Sequence, residues 1–253
     1  MRGGVERGEF RLHYQPLVGL ADGRVRAAEA LVRWEHPEHG LLGPARFVEP
    51  AERSGAIVPL GRWVLETACT QAAAWHRELG SGAPCVSVNV SPVQLVEPGW
   101  VAEVIAMTDV TGLPPDMLQL EITEQAVLRD EAAALEALTA LRRAGIRLAL
   151  DDFGTGYSGL AWLRSLPVHA LKIDGSFVQG LRHPDADPVD SSIVDPMIRM
   201  AHALDLEVTA EWVETRRQAE RLTRLGCDLG QGRWYGDAGP ATAVPGIWRR
   251  SIG

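Results

Sequence analysis

From residue 85 onward the chain repeats one unit, a short apolar run followed by an amphipathic helical stretch. The apolar runs are Cys85 to Val90, Met117 to Ile122, Ile146 to Leu150, Ala170 to Ile173, Glu207 to Ala210 and Cys227 to Gly230. Helical patterns follow at about Gly99 to Met107, Asp130 to Ala144, Ser158 to Leu166, near Ser176, up to Leu204 and from Thr215 to Leu225; the polar, proline-bearing Arg182 to Asp190 reads as a loop. Such alternation implies a mainly parallel sheet covered by helices. Ahead of the repeat, Phe10 to Leu17 alternates, Asp22-Gly23 is a two-residue hairpin signal, and Val25 to Trp34 follows, so the first two strands pair antiparallel. Two helical segments link the hairpin to the repeat. The first runs from Pro44 to about Arg53, interrupted near Pro50 and ended by Gly55. The second runs from about Leu60 to Leu79, with Trp63, Ala68, Ala72 and Trp75 among its apolar positions and Gly80 at its end.

Eight strands in 253 residues favour a closed α/β barrel, a TIM-like (β/α)8 fold with an antiparallel first strand, over an open doubly wound sheet. No internal repeat, low-complexity tract or linker divides residues 1–253, which read as a single domain. A 46% hydrophobic, 23% charged chain can build a full core. Cys69, Cys85 and Cys227 form no disulfide framework or zinc spacing and read as small core residues; His36 and His39 flank a turn and read as surface. A net charge of −8 argues against binding a DNA or RNA polymer, but leaves room for a small anionic substrate met by metal ions. No apolar run approaches the roughly 20 residues of a membrane span, and no signal-peptide pattern is present, so the expected location is the cytoplasm.

The stretch Leu148-Ala-Leu-Asp-Asp-Phe-Gly-Thr-Gly-Tyr-Ser158 runs from a buried strand into two acids and a glycine turn. Neighbouring strand residues face opposite sides, so Asp151 and Asp152 converge only if the strand stops between them. Two such carboxylates call for a hard divalent cation; an isolated Asp-Asp-Phe-Gly reads equally as a helix N-cap beside a solvated aspartate. The other strand ends shift that balance. They carry Glu29, Asn89, Glu121, Lys172 with Asp174, Glu211 and Gln231, and barrel active sites are assembled from this rim. The acids Glu29, Glu121, Asp151, Asp152 and Glu211, with the Asn89 amide oxygen, exceed what one Mg²⁺ takes from protein and suit two cations, as in displacement at phosphorus. Lys172 either orients the attacking water or is a salt bridge to an acid; Arg33 either meets a phosphate or forms a structural ion pair.

In order along the chain stand Tyr14-Gln15-Pro16, Glu29-Ala30-Leu31-Val-Arg33-Trp, Val86-Ser-Val-Asn89-Val-Ser, Leu120-Glu-Ile-Thr-Glu124, Asp151-Asp-Phe-Gly-Thr-Gly156, Leu171-Lys-Ile-Asp174, Ala210-Glu-Trp-Val-Glu-Thr215 and Cys227-Asp-Leu-Gly-Gln231-Gly. From about Gly8 to Gly232 these motifs resemble those of the bacterial EAL-domain cyclic di-GMP phosphodiesterases. The resemblance implies hydrolysis of one phosphodiester of cyclic di-GMP to linear 5'-pGpG with two Mg²⁺ or Mn²⁺. It implies that Glu29, Asn89, Glu121 and Asp151 hold one metal, and that Asp151, Asp152 and Glu211 hold the second. Lys172 and Gln231 match further active-site positions, Glu124 the residue that holds the loop after Asp152, and Glu214 another acid of the site. Gln15, Leu31 and Arg33 match substrate contacts, with Asn89 and Asp174 assigned alongside them.

The resemblance also implies a homodimer and fusion to sensory or cyclase domains. Starting at Met1-Arg-Gly-Gly, almost directly before the first strand, the chain reads as a catalytic domain excised from, or equivalent to the C-terminal part of, a larger regulatory protein. It departs from the family pattern at Trp212 (usually Gly), Gly175 (commonly basic), Arg233 (usually aromatic) and Pro240, which comes two residues late. A tryptophan beside Glu211 is expected to crowd that ligand. The alternatives are a weak or inactive domain acting as a cyclic di-GMP receptor or protein-interaction module, and a barrel that abstracts a proton with Lys172 as base.

Overall fold

A computed structural model of the chain describes residues 3–154, 160–182 and 188–243. The strands are β1 (Phe10–Gly19), β2 (Val25–His36), β3 (Gly40–Leu42), β4 (Cys85–Asn89), β5 (Leu118–Thr123), β6 (Arg147–Phe153), β7 (Ala170–Ile173), β8 (Glu207–Ala210), β9 (Leu229–Gln231) and β10 (Gly239–Pro240). Pairing runs β1-β9-β8-β7-β6-β5-β4-β2 and closes through β1–β2, which makes an eight-stranded barrel with β3 and β10 as marginal additions. β1 is antiparallel to both of its barrel neighbours, and the other barrel strands pair parallel. The expected TIM-like barrel with an antiparallel first strand is therefore the fold.

The helices are α1 (Val48–Ser54), α2 (Ile57–Leu79), α3 (Pro92–Leu95), α4 (Trp100–Thr111), α5 (Glu124–Arg129), α6 (Glu131–Arg143), α7 (Leu160–Ser165), α8 (Gly175–Gln179), α9 (Pro188–His202) and α10 (Arg216–Arg224). The long helices bury apolar faces: α2 buries Leu60, Val64, Ala68, Ala72 and Trp75, while Trp63 is only partly covered. No helix is long and apolar enough to cross a membrane, among the described residues.

Several local expectations change. The β1–β2 turn spans Leu20 to Arg24 rather than two residues, with Gly23 in the left-handed region and the Gly19 amide donating to the Arg24 carbonyl. Pro50 does not interrupt α1, because at its third position the missing N–H has no helical partner to lose. The break falls earlier, at Phe47, and Gly55 ends the helix in the left-handed conformation as expected. Helix α9 already includes Pro188 to Asp190, while Ser158 and residues 183–187 lie outside the described residues. Cys69 and Cys227 are core, but Cys85 is partly exposed. His36 and His39 stack on each other, ring centres 4.6 Å apart, at the β2–β3 turn.

Candidate active site

Four acids of the predicted rim, Glu29, Glu121, Asp151 and Glu211, gather at one mouth of the barrel around Lys172. Lys172, on β7, is only 1% exposed, and its Nζ lies 2.6 Å from Glu121, 2.6 Å from Glu211, 3.4 Å from Asp151 and 3.6 Å from Glu29. It is thus an ion pair, and one shared by four carboxylates rather than a bridge to one. Glu29, from β2, also accepts from Asn89 Nδ2 at 2.6 Å and Gln231 Nε2 at 2.5 Å. Gln231, the last residue of β9, donates in addition to Gln15 on β1 at 3.2 Å, and Gln15 donates to the Gly236 carbonyl at 3.1 Å. These contacts orient one carboxylate from both sides.

Asp151 and Asp152 converge, but the strand does not stop between them. β6 continues to Phe153 and bulges: Asp152 takes φ 54°, and the register to β7 shifts between Leu150 and Phe153. A single left-handed residue turns the second side chain back to the face of the first. Glu124, the first residue of α5, accepts the Gly154 amide at 3.0 Å and so pins the exit of this bulge. Carboxylate oxygens of Asp151, Asp152 and Glu211 lie within 4.8 Å of one another.

The electrostatics follow from burial. Burial pushes Glu121 up, and Glu29 and Asp151 add repulsion beyond what Lys172 offsets; Glu211 is likewise pushed up to about 7 by burial, Asp151 and Glu29. Burial also raises Glu29, yet Lys172 and the bonds from Gln231 and Asn89 outweigh it and hold Glu29 below its usual range. Asp152 is raised by burial and by Asp151 and Asp174. Desolvation disfavours the Lys172 ammonium, but its four carboxylates hold it well above its ordinary value. One ammonium leaves most of this negative charge uncompensated, and the donors are all oxygen. Hard divalent cations fit both features.

The remaining expected residues are placed unequally. Glu29, Leu31 and Arg33 share one face of β2, so Leu31 and Arg33 follow Glu29 outward. Arg33 donates to the Val32 carbonyl at 3.0 Å, makes no ion pair among the described residues and feels the charge of Glu29. Leu31 and Asn89 line a cavity of about 530 Å³ together with Glu52, Ser91 and Gln94. Asp174 caps α8, accepting the Ser176 amide at 3.0 Å, and bears on the centre through its charge on Asp152. Glu214 faces Arg233 at 3.9 Å. Two residues beneath the centre had no assigned role: Ser87 Oγ donates to Glu121 at 2.5 Å and receives Gln119 Nε2 at 3.3 Å. Ser87 and Gln119 each stand two positions before an expected ligand on the same strand, so strand parity could have found them.

Trp212 does not displace Glu211, which keeps its place among the clustered carboxylates. The reason is Gly175: a Cβ there would overlap Cγ and Cδ2 of Trp212, so the two departures from the family pattern fill one space. Gly175→Ala is expected to cost about 1–3 kcal/mol, and Trp212→Gly in the same chain to restore the melting temperature. Additive losses in that double-mutant cycle would show that the two do not share the space.

The family model for the EAL domain matches residues 1–238. Curated relatives include an uncharacterized protein of Mycobacterium tuberculosis, 43% identical over 241 residues that span 95% of this chain and 78% of that protein. Another is the bifunctional diguanylate cyclase/cyclic di-GMP phosphodiesterase MucR of Pseudomonas aeruginosa, 42% identical over 95% of this chain and 35% of its own length. The solved MucR phosphodiesterase in complex with c-di-GMP superposes with a TM-score of 0.90 at 42% identity, covering 96% of this chain and 97% of that one. The EAL domain of Mycobacterium smegmatis DcpA superposes with a TM-score of 0.80 at 39% identity, covering 96% and 98%.

Proposed function

The chain belongs to the EAL domain family, and from that premise we propose that it hydrolyses one phosphodiester bond of cyclic di-GMP to linear 5'-pGpG, with two divalent cations, Mg²⁺ or Mn²⁺, as cofactors. The observation that carries this reading is the cluster of Asp151, Asp152 and Glu211 oxygens beside the Lys172-centred carboxylates. Glu29, Asn89, Glu121 and Asp151 would hold one cation, and Asp151, Asp152 and Glu211 the second. Bound there, such ions supply an acidified water and neutralise charge on the phosphoryl oxygens.

The chain's own residues do the rest. Lys172 offsets part of the repulsion among the carboxylates and is the N–H donor that would orient a water in the centre. Gln231 and Asn89 fix the Glu29 carboxylate, and Glu124 holds the backbone that sets Asp152. Arg33, with no ion pair among the described residues, meets the substrate phosphate, and the cavity beside Leu31 and Asn89 accepts a base.

Glu211, pushed up to about 7, carries a proton at lower pH that a cation must displace. Metal binding is therefore expected to release protons and strengthen as pH rises. The rise in melting temperature on adding Mn²⁺ should be larger near pH ~7.5 than near pH ~5.5. An increment independent of pH would detach Glu211 from the metal site. Chromatography of nucleotides after incubation with cyclic di-GMP and Mn²⁺, with a chelated control, tests the activity itself. Metal-dependent linear dinucleotide is the expected product. Binding without product would make the chain a receptor.

A further inference from the structure

Trp212 is not used by the chemistry described above, yet the chain goes to some length to place it. It directly follows Glu211, remains 53% exposed, and holds a left-handed backbone, φ 53°, that disfavours bulky side chains. Its indole lies against Gly175, where any side chain would collide with it. The backbone on either side is pinned: the Glu211 amide donates to Ile173 at 3.2 Å, the Val213 amide to Gln231 at 2.9 Å, and the Trp234 amide to Val213 at 3.0 Å. A fixed aromatic surface is therefore presented to solvent one residue from a candidate metal ligand. Packing against Gly175 covers part of the indole and leaves the rest open to solvent beside Glu211.

Trp212 follows β8, and the cavity beside Leu31 and Asn89 is flanked by β2 and β4. In the barrel order β1-β9-β8-β7-β6-β5-β4-β2, β8 and β4 stand opposite each other. A cyclic dinucleotide held by its phosphates at the centre in an extended form would reach one base to each side. Across the mouth from the cavity stands this exposed indole, whose face suits a flat π-system at low cost in side-chain entropy. Nearby Arg233 offers charge and no such large apolar plane.

We propose that Trp212 is a stacking platform for one guanine of the cyclic dinucleotide, and so a specificity-determining residue; this rests on the phosphodiesterase reading. Stacking present equally in the ground and transition states changes KM and not kcat. The test is steady-state kinetics of wild type, Trp212→Ala and Trp212→Phe on cyclic di-GMP with Mn²⁺. The expected result is a KM about tenfold to a hundredfold higher for Trp212→Ala, with kcat changed by less than about threefold, and recovery of most of the loss in Trp212→Phe. An unchanged KM, equal losses in both variants, or a fall in kcat alone would overturn the proposal, the last making Trp212 a prop for Glu211. If the wild type binds without cleaving, the hydrolytic reading fails, and the same comparison made on Kd by equilibrium dialysis decides Trp212. If it neither binds nor cleaves, both fail.

Discussion

Asp151→Asn is expected to lower kcat/KM by about a thousandfold or more while leaving the melting temperature unchanged or higher. Asp151 is the carboxylate common to both proposed cation sites, so no other single change of one atom touches so much of the centre. The amide keeps the shape of the side chain and the bond its oxygen makes to the Asp152 amide at 3.0 Å. It removes a negative charge that repels Glu121, Glu211 and Asp152, which is why stability should hold. Lys172 keeps three other carboxylates. Parallel kinetics and thermal melts check both halves: activity near wild type at saturating Mn²⁺ would remove Asp151 from the centre, and a large fall in melting temperature would give it a structural role.

The second large effect is expected from Lys172→Met, measured by thermal denaturation with chelator and with Mn²⁺. Methionine fills much of the same space but leaves Glu29, Glu121, Asp151 and Glu211 facing one another without a cation. Removing one partner of a buried ion pair costs about 3–5 kcal/mol, which in a chain of this size lowers the melting temperature by about 10 °C. Mn²⁺ should return part of that loss, since it supplies the missing charge, while turnover should stay low because nothing replaces the donor. A variant as stable as wild type in chelator would show that the carboxylates are protonated rather than compensated by Lys172.

The barrel was legible because its strands and helices differ in period and alternate many times; Ala170–Ile173 and Glu207–Ala210 match residue for residue. Small elements were not. β3 and α3 are too short to repeat their period, although the Ser91–Gln94 capping box that starts α3 was present to be read. The rim residues were legible as strand-end polar groups. Their geometry was not, since alternation alone requires a strand to stop between Asp151 and Asp152, and only the fold shows a left-handed Asp152 within a continuing strand. The Trp212–Gly175 exchange is illegible for a related reason. Its two halves lie on separate strand ends, and each looks like a defect until the loops after β7 and β8 are brought together.

The most direct test of the hydrolytic reading is the reaction run in heavy-oxygen water with Mn²⁺, followed by mass spectrometry of the nucleotides. The expected result is linear 5'-pGpG carrying one heavy oxygen on its terminal phosphate, formed only without chelator, because water attacks phosphorus as the 3' oxygen leaves. Unchanged cyclic di-GMP under metal-replete conditions, or a linear product with no label, would contradict it.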